Sequence, residues 1–141
     1  MSSQQPKIFF IDDEQDLRLA NEQTLQLAGF DVELFEKAED ALPLLNELWS
    51  GVIICDIRLP GMDGQTFQHK VQTLDADLPV ILITGHGDIS MAVDAMHKGA
   101  YDFIEKPFSA DRLVDTVKRA IDKRLLTLEN RNLKTELQNQ D

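Results

Sequence analysis

The chain has 141 residues, of which 43% are hydrophobic and 28% charged, the size and composition of one soluble globular domain. The formal net charge is −11, and residues 1–108 hold it, with 7 Lys and Arg against 19 Asp and Glu. Such an acidic body repels nucleic-acid phosphates and attracts divalent cations, so we expect no direct nucleic-acid binding. A polar amino terminus, apolar runs too short to cross a bilayer and a single cysteine predict a cytoplasmic protein without membrane spans or an internal disulfide.

Short apolar segments alternate with longer amphipathic ones along the first 108 residues. The apolar segments predict five β-strands, over residues 7–11, 31–35, 51–55, 79–84 and 101–105. The periodicity between them predicts helices over 16–28, 38–49, 64–74 and 89–98. Pro43 lies early in the second of these helices and allows a kink or a later helix start. The alternation predicts an α/β fold with a doubly wound, five-stranded parallel sheet.

The last segment has a different pattern. Ser109 is a candidate N-cap for a helix that runs without Gly or Pro to about Leu137. Its apolar positions suit packing on a sheet as far as Ile121, and then follow one of two coiled-coil registers. The two registers are Leu126, Asn130, Leu133, Leu137 and Ile121, Leu125, Leu128, Asn132. We expect a globular domain over 6–124 and a helical linker or coiled-coil extension over 125–141, with a frayed tail as the alternative.

Polar side chains follow four of the five predicted strands. Asp12 and Asp13 come after the first strand, Asp56 after the third, Thr84 after the fourth and Lys106 after the fifth. Each alone is commonly a helix cap, a turn residue or a surface residue. In open parallel sheets, however, ligands bind at the carboxyl ends of the strands. The convergence of all five on that edge predicts a functional site.

The three carboxylates would repel one another unless a cation or a proton lies among them. Oxygen donors without a Cys or His cluster suit Mg²⁺, which we expect Asp13 and Asp56 to hold directly and Asp12 through water. One oxygen of Asp56 could then attack phosphorus and form an aspartyl phosphate. Lys106 and Thr84 would stabilise the charge that develops. The sequence therefore predicts a phosphoacceptor site.

The remaining candidates for chemistry are weaker. His86 lies two residues after Thr84, next to the predicted site, and its role stays open. Cys55 precedes the acceptor on an apolar strand, where we expect it to be an inert core residue. His69 and His97 are expected to be solvated on amphipathic helices.

Several of these motifs together resemble the receiver domain of bacterial two-component response regulators. They are Ile11-Asp12-Asp13-Glu14, the run CDIRLPGMDG over residues 55–64, Thr84, and Lys106-Pro107-Phe108. The resemblance covers about residues 6–124 and implies a flavodoxin-like sheet with strand order 2-1-3-4-5. It also implies that the phosphohistidine of a sensor histidine kinase is the phosphoryl donor to Asp56.

The same resemblance implies further roles for individual residues. The backbone carbonyl of Arg58 would ligate Mg²⁺, and the Lys106–Pro107 peptide would be cis. Tyr101 would be the switch aromatic that rotates inward when Thr84 moves toward the phosphoryl group. The chain would be a phosphoacceptor that assists its own phosphorylation and dephosphorylation, and not an enzyme with a separate substrate.

A narrower resemblance, to receivers of the NtrC type, comes from TGHGDI at 84–89, GAYDFI at 99–104 and residues 129–133. Such receivers regulate sigma-54-dependent transcription. The likeness implies a homodimer through the fourth helix, fifth strand, fifth helix and linker helix, and AAA+ and DNA-binding domains in the full-length protein. No GxxxxGK[ST] loop and no room for a DNA-binding domain are present here. One departure is Gly85, where many receivers have Ala.

Three alternatives remain open from the sequence. The first is a free-standing, diffusible receiver. The second is a phosphatase or phosphotransferase with an aspartyl intermediate, although such enzymes usually place a second carboxylate where Arg58 stands. The third is a flavodoxin-like cofactor binder, although Asp12, Asp13 and Glu14 would repel a phosphate group.

Overall fold

In a computed structural model, which describes residues 6–85 and 87–138, five parallel strands form one sheet in the order β2-β1-β3-β4-β5. The strands are β1 Lys7–Ile11, β2 Asp31–Phe35, β3 Val52–Asp56, β4 Val80–Thr84 and β5 Asp102–Glu105. The helices are α1 Gln15–Leu27, α2 Ala38–Ala41, α3 Gly64–Leu74, α4 Ile89–His97 and α5 Ala110–Gln138. The predicted fold and strand order are confirmed, and no strand boundary differs from the prediction by more than one residue.

Two apolar layers cover the faces of the sheet because side chains alternate along each strand. One layer combines strand residues such as Ile53 and Leu82 with Phe67 of α3 and Ala92 of α4. The other combines strand residues with the helices α1 and α5, through Leu25, Leu113, Val117, Ala120 and Ile121. Every residue of β3 and β4 is buried, as their unbroken apolar sequences predict.

The predicted helix over 38–49 is wrong over most of its length. α2 ends at Ala41, and a 3₁₀ turn, Leu42–Leu44, carries Pro43, which cannot donate a helical hydrogen bond. The segment that follows instead presents carbonyl groups to α5, and the ring of Trp49 packs on Phe9 with centroids 4.6 Å apart. These tertiary contacts replace the amphipathic helix that the leucine spacing predicts.

α5 begins as the sequence predicts. The hydroxyl of Ser109 accepts a hydrogen bond from the backbone N–H of Arg112 at 3.1 Å, which is an N-cap contact. The helix then packs on the sheet as far as Ile121 and continues to Gln138. Leu126, Leu133 and Leu137 in the second half are 65%, 50% and 69% exposed, so apolar surface remains open there. Among the described helices none is long and apolar enough to span a membrane.

Candidate functional site

The carboxyl ends of the central strands bring three of the predicted carboxylates together. Asp12, Asp13 and Asp56 each offer one oxygen that lies within 4.8 Å of the other two. Asp12 and Asp56 are 1% and 7% exposed, and Asp13 is exposed to solvent. The parallel register pairs Ile11 with Cys55, so the residues after them meet at one edge. The group has two buried members and one that solvent can reach.

Asp56 is held by a different donor at each oxygen. Its Oδ2 accepts a hydrogen bond from the Nζ of Lys106 at 2.9 Å, and its Oδ1 accepts the backbone N–H of Arg58 at 3.1 Å. The same ammonium lies 3.8 Å from Oδ2 of Asp12. Burial lowers the pKa of Lys106, but its hydrogen bond to Asp56 and the charges of Asp56 and Asp12 raise this pKa more, so the ammonium stays charged.

The pKa of Asp12 is raised from its ordinary value. Burial raises its pKa to about 6, with a further increase from the charge of Asp56, while the hydrogen bond that Oδ1 accepts from the N–H of Glu14 at 2.9 Å lowers it. Most of the increase comes from the loss of solvation, and the charge of Lys106 offsets it only in part. A divalent cation would add positive charge beside the buried carboxylates, and three carboxylates are donors that Mg²⁺ accepts. The residues present therefore fit a magnesium ion.

Thr84 ends β4, and its hydroxyl is bonded to the backbone of the next residue. The side chain is fully buried and donates a hydrogen bond to the carbonyl of Gly85 at 3.3 Å. The backbone N–H of Lys106 donates to the carbonyl of Thr84 at 2.8 Å, which joins the ends of β4 and β5. The peptide between Lys106 and Pro107 is cis, as the resemblance implies.

An ion pair that sequence reasoning did not predict joins two loops at this edge. The guanidinium of Arg58, after β3, donates to both oxygens of Asp88, after β4, at 2.6 to 2.9 Å. Asp88 is only 5% exposed. Opposite charges at similar positions after neighbouring strands are the signal that could have predicted this pair. His86, in the loop between Thr84 and Asp88, lies outside the described residues.

Tyr101 lies far from the carboxylate cluster. It precedes β5, and the Nζ of Lys123 lies 5.7 Å above its ring. Glu105 of β5 pairs with Thr84 of β4. Tyr101 comes four residues before Glu105, which places it about 13 Å from the level of Thr84 along the strand direction. Phe103 is two residues, about 7 Å, from that level, and it packs against the core layer that contains α4. The role of Tyr101 stays a prediction, and Phe103 is the aromatic residue nearer to Thr84.

The chain is similar in sequence and in fold to a known family of proteins. The model of the response regulator receiver domain family matches residues 8–118. The C4-dicarboxylate transport transcriptional regulatory protein DctD of Rhizobium meliloti (strain 1021) is 57% identical over 129 residues, 92% of this chain and 28% of that protein. The DNA-binding transcriptional regulator NtrC of Escherichia coli (strain K12) is 37% identical over 114 residues, 81% of this chain and 24% of that protein. The solved structure of the response regulator StyR superposes with a TM-score of 0.88 at 32% identity, covering 96% of this chain and 68% of that one.

The chain therefore belongs to the response regulator receiver domain family, and its receiver is of the type found in DctD and NtrC. This confirms the resemblance drawn from the sequence motifs. The chain spans less than a third of the length of these two relatives, 28% and 24%. The rest of each relative lies outside the matched region.

Proposed function

We propose that this chain is a phosphorylation-dependent switch in which Asp56 accepts a phosphoryl group from the phosphohistidine of a sensor histidine kinase. One observation carries the proposal: a nearly buried carboxylate has a lysine ammonium 2.9 Å away and two further carboxylates beside it. A surface aspartate with a purely structural role needs neither. The arrangement supplies a nucleophile, a permanent positive charge and donors for a cation in one place.

The transfer involves one bond made and one broken. An oxygen of Asp56 attacks phosphorus, the bond between phosphorus and the histidine nitrogen breaks, and that nitrogen keeps the electron pair. Lys106 stabilises the added negative charge because its ammonium already contacts Oδ2 of Asp56. The N–H of Arg58 holds the other oxygen and limits rotation of the carboxylate.

Asp12, Asp13, Asp56 and the backbone carbonyl of Arg58 would hold Mg²⁺. When bound, the ion would neutralise charge on the phosphoryl oxygens. The spacing of the carboxylates supports this assignment, since Asp12, Asp13 and Asp56 each offer one oxygen within 4.8 Å of the other two. The exposed position of Asp13 leaves solvent access to the ion and to the donor.

The response to phosphorylation would begin at Thr84. Its hydroxyl now donates to the Gly85 carbonyl and is free to exchange that partner for a phosphoryl oxygen. Such a movement leaves space on the α4 side of β5, where Phe103 packs. Phe103 is therefore a better candidate than Tyr101 for the aromatic side chain that follows Thr84.

The output would be a change of homodimer through α4, β5, α5 and the extension of α5. AAA+ and DNA-binding domains in the full-length protein would convert it into sigma-54-dependent transcription in the cytoplasm. The names of the relatives DctD and NtrC as transcriptional regulators support this assignment. An apolar hollow next to Asp12 and Lys106, lined by Leu17, Ala20 and Phe108, offers the kinase a contact surface beside the acceptor.

An aspartyl-phosphate phosphatase is the less favoured reading. Such an enzyme needs an acid or base within reach of the acceptor, and the residue at the usual position is Arg58. Its side chain is engaged by Asp88 rather than directed at Asp56. We therefore assign no separate substrate to the site.

The test is incubation of the chain with Mg²⁺ and a small phosphodonor or beryllofluoride, followed by intact mass measurement. We expect one adduct on the wild-type chain, none on Asp56→Asn and an unchanged yield on Asp94→Asn, a matched substitution of an exposed carboxylate. No adduct on the wild type, or an undiminished one on Asp56→Asn, would overturn the proposal. Omission of Mg²⁺ should lower the yield if the ion belongs to the site.

A further inference from the structure

At the edge of the sheet opposite the phosphoacceptor site, α5 is attached to the body by a buried arginine. Arg124 is 0% exposed. Its guanidinium donates to the carbonyls of Trp49 at 2.8 Å and Glu47 at 3.0 Å, and to Oδ2 of Asp75 at 3.1 Å. A buried guanidinium requires both hydrogen-bond partners and a counter-charge, and this one has them.

A second arginine, two helical turns later, contacts the same partners. Arg131 donates to both oxygens of Asp75 at 2.8 Å, to the carbonyl of Glu47 at 3.2 Å and to Oδ2 of Asp77 at 3.2 Å. It is a residue of the extension, which the sequence separates from the domain at residue 124. One carboxylate, 4% exposed, therefore receives hydrogen bonds from both sides of that boundary.

The spacing explains how both arginines reach one carboxylate. Seven residues turn a helix through about 700°, so Arg124 and Arg131 lie within about 20° of each other on its surface. Leu126, Asn130, Leu133 and Leu137 lie about 180° to 240° from Arg124. The contacts with Asp75 therefore direct this coiled-coil register away from the body. The competing register begins at Ile121, which is buried in the core.

We propose that Asp75 anchors the linker helix: Arg124 and Arg131 make residues 125–131 a rigid part of the receiver body, and the helix leaves the body only after Arg131. All residues from 132 to 138 are exposed, in agreement with this position of departure. The anchor fixes both the direction of the helix and the side of it that faces a partner. The extension would then move together with the receiver body, because no flexible joint separates the two.

The anchor does not depend on phosphorylation of Asp56, so the unphosphorylated chain tests it. We suggest amide hydrogen exchange on the wild type, Arg131→Ala and Arg119→Ala, at a concentration at which sedimentation finds all three monomeric. Arg119 is the matched control because it pairs with Asp115 on the same helix and touches no other element in the described ion pairs. We expect amides of 125–138 to exchange about tenfold faster in Arg131→Ala, with the sheet unchanged.

Three outcomes would overturn the anchor. Exchange in Arg131→Ala equal to wild type would show that the contacts do not hold the helix. Equal acceleration in Arg119→Ala would show that any lost charge on α5 loosens it. Arg131→Lys keeps the charge but cannot bridge both oxygens of Asp75 and the Glu47 carbonyl, so its exchange should lie between the wild type and Arg131→Ala. Wild-type exchange in the lysine variant would likewise contradict the proposed geometry.

Discussion

Asp56 takes its properties from neighbours that follow two other strands, β1 and β5, and from the loop after its own strand. The ammonium of Lys106 and the N–H of Arg58 hold its two oxygens, while Asp12 adds a second buried negative charge. Burial raises the pKa of Asp12, the charge of Asp56 raises it further, and the charge of Lys106 lowers it. At the scale of single residues, Asp56 lies among carboxylates whose spacing fits a cation.

Gly64 lies against the backbone of Asp56 and Ile57. A Cβ at this position would overlap the backbone carbonyl of Asp56 and the Cα of Ile57. We therefore expect Gly64→Ala to lower the free energy of unfolding by about 1–3 kcal/mol and to displace Asp56. Urea denaturation and the phosphoryl adduct yield measure the two effects. Gly85→Ala is the control, because the nearest atom to a Cβ there is Oδ2 of Asp88 at 3.9 Å. An equal loss of stability in both variants would contradict the steric argument.

Substitution of Phe103 and substitution of Tyr101 are expected to have different effects on the response of α4. We expect Phe103→Ala to reduce the change in hydrogen exchange that beryllofluoride induces in α4, because Phe103 packs in the core layer shared with that helix. Tyr101→Ala should leave this change intact, since Tyr101 belongs to the other layer. The reverse result would support the switch role that the family resemblance implies for Tyr101.

At the scale of elements, different ion pairs lie at the carboxyl ends and at the amino ends of the central strands. The Arg58–Asp88 pair joins the loops that follow β3 and β4, next to the site. Arg124 and Arg131 join α5 to the segments that precede those strands, at Asp75 before β4 and at the Glu47 carbonyl before β3. The loops that follow β3 and β4 are therefore joined to each other, whereas the segment that precedes β4 is joined to α5 at the end of the sheet remote from Asp56.

Asp75 gives the fold a specific acid sensitivity. The hydrogen bond from Arg131 lowers its pKa to about 2 against the opposing effect of burial. Because the unfolded chain binds this proton more tightly, the contribution is complete above about pH 5 and is lost as the pH falls toward 2; it amounts to about 2 kcal/mol. The difference in unfolding free energy between wild type and Asp75→Asn should therefore shrink between about pH 5 and pH 2.

Urea denaturation at several pH values measures this difference. Asp31→Asn is the control, since Asp31 is exposed and pairs only with Lys7 at 3.3 Å among the described ion pairs. Its difference from wild type should be small and should not change with pH. A difference for Asp75→Asn that stays constant with pH would contradict the proposed contribution.

At the scale of the whole molecule, an acidic body carries a long helix whose exposed apolar stripe faces away from it. Residues 1–108 hold 19 of the 25 acidic residues, so the body itself resists close association with a second copy. The extension, in contrast, exposes an apolar stripe formed by Leu126, Leu133 and Leu137. We expect self-association to depend on that stripe.

Leu133→Asp tests this expectation because it places a charge in the middle of the stripe. The dissociation constant of the homodimer should rise at least about tenfold, as sedimentation equilibrium would measure. Leu27→Asp is the control, since Leu27 is 83% exposed on α1 and lies outside the extension. A dimer that tolerates Leu133→Asp would place the contact on α4, β5 and the sheet-packed part of α5 instead.

Local patterns were enough for most of the architecture and for the residues of the site. Unbroken apolar runs define β3 and β4 because both faces of these strands are buried, and the carboxyl ends of parallel strands necessarily share an edge. Asp12, Asp13, Asp56 and Lys106 could therefore be brought together from the sequence alone. The helix expected over 38–49 failed because leucine spacing carries no information about the distant arginines that compete for its carbonyls.

The sequence by itself determined the fold, the acceptor edge and the existence of a long last helix, because each depends on short-range periodicity or on strand order. Only the tertiary structure decided how that helix is attached, since Asp75 and Arg131 are 56 residues apart in the chain. The same holds for the Arg58–Asp88 pair and for the core layers in which Phe103 and Tyr101 pack. Ion pairs between loops and the side of a strand on which a ring packs depend on distances that no local pattern encodes.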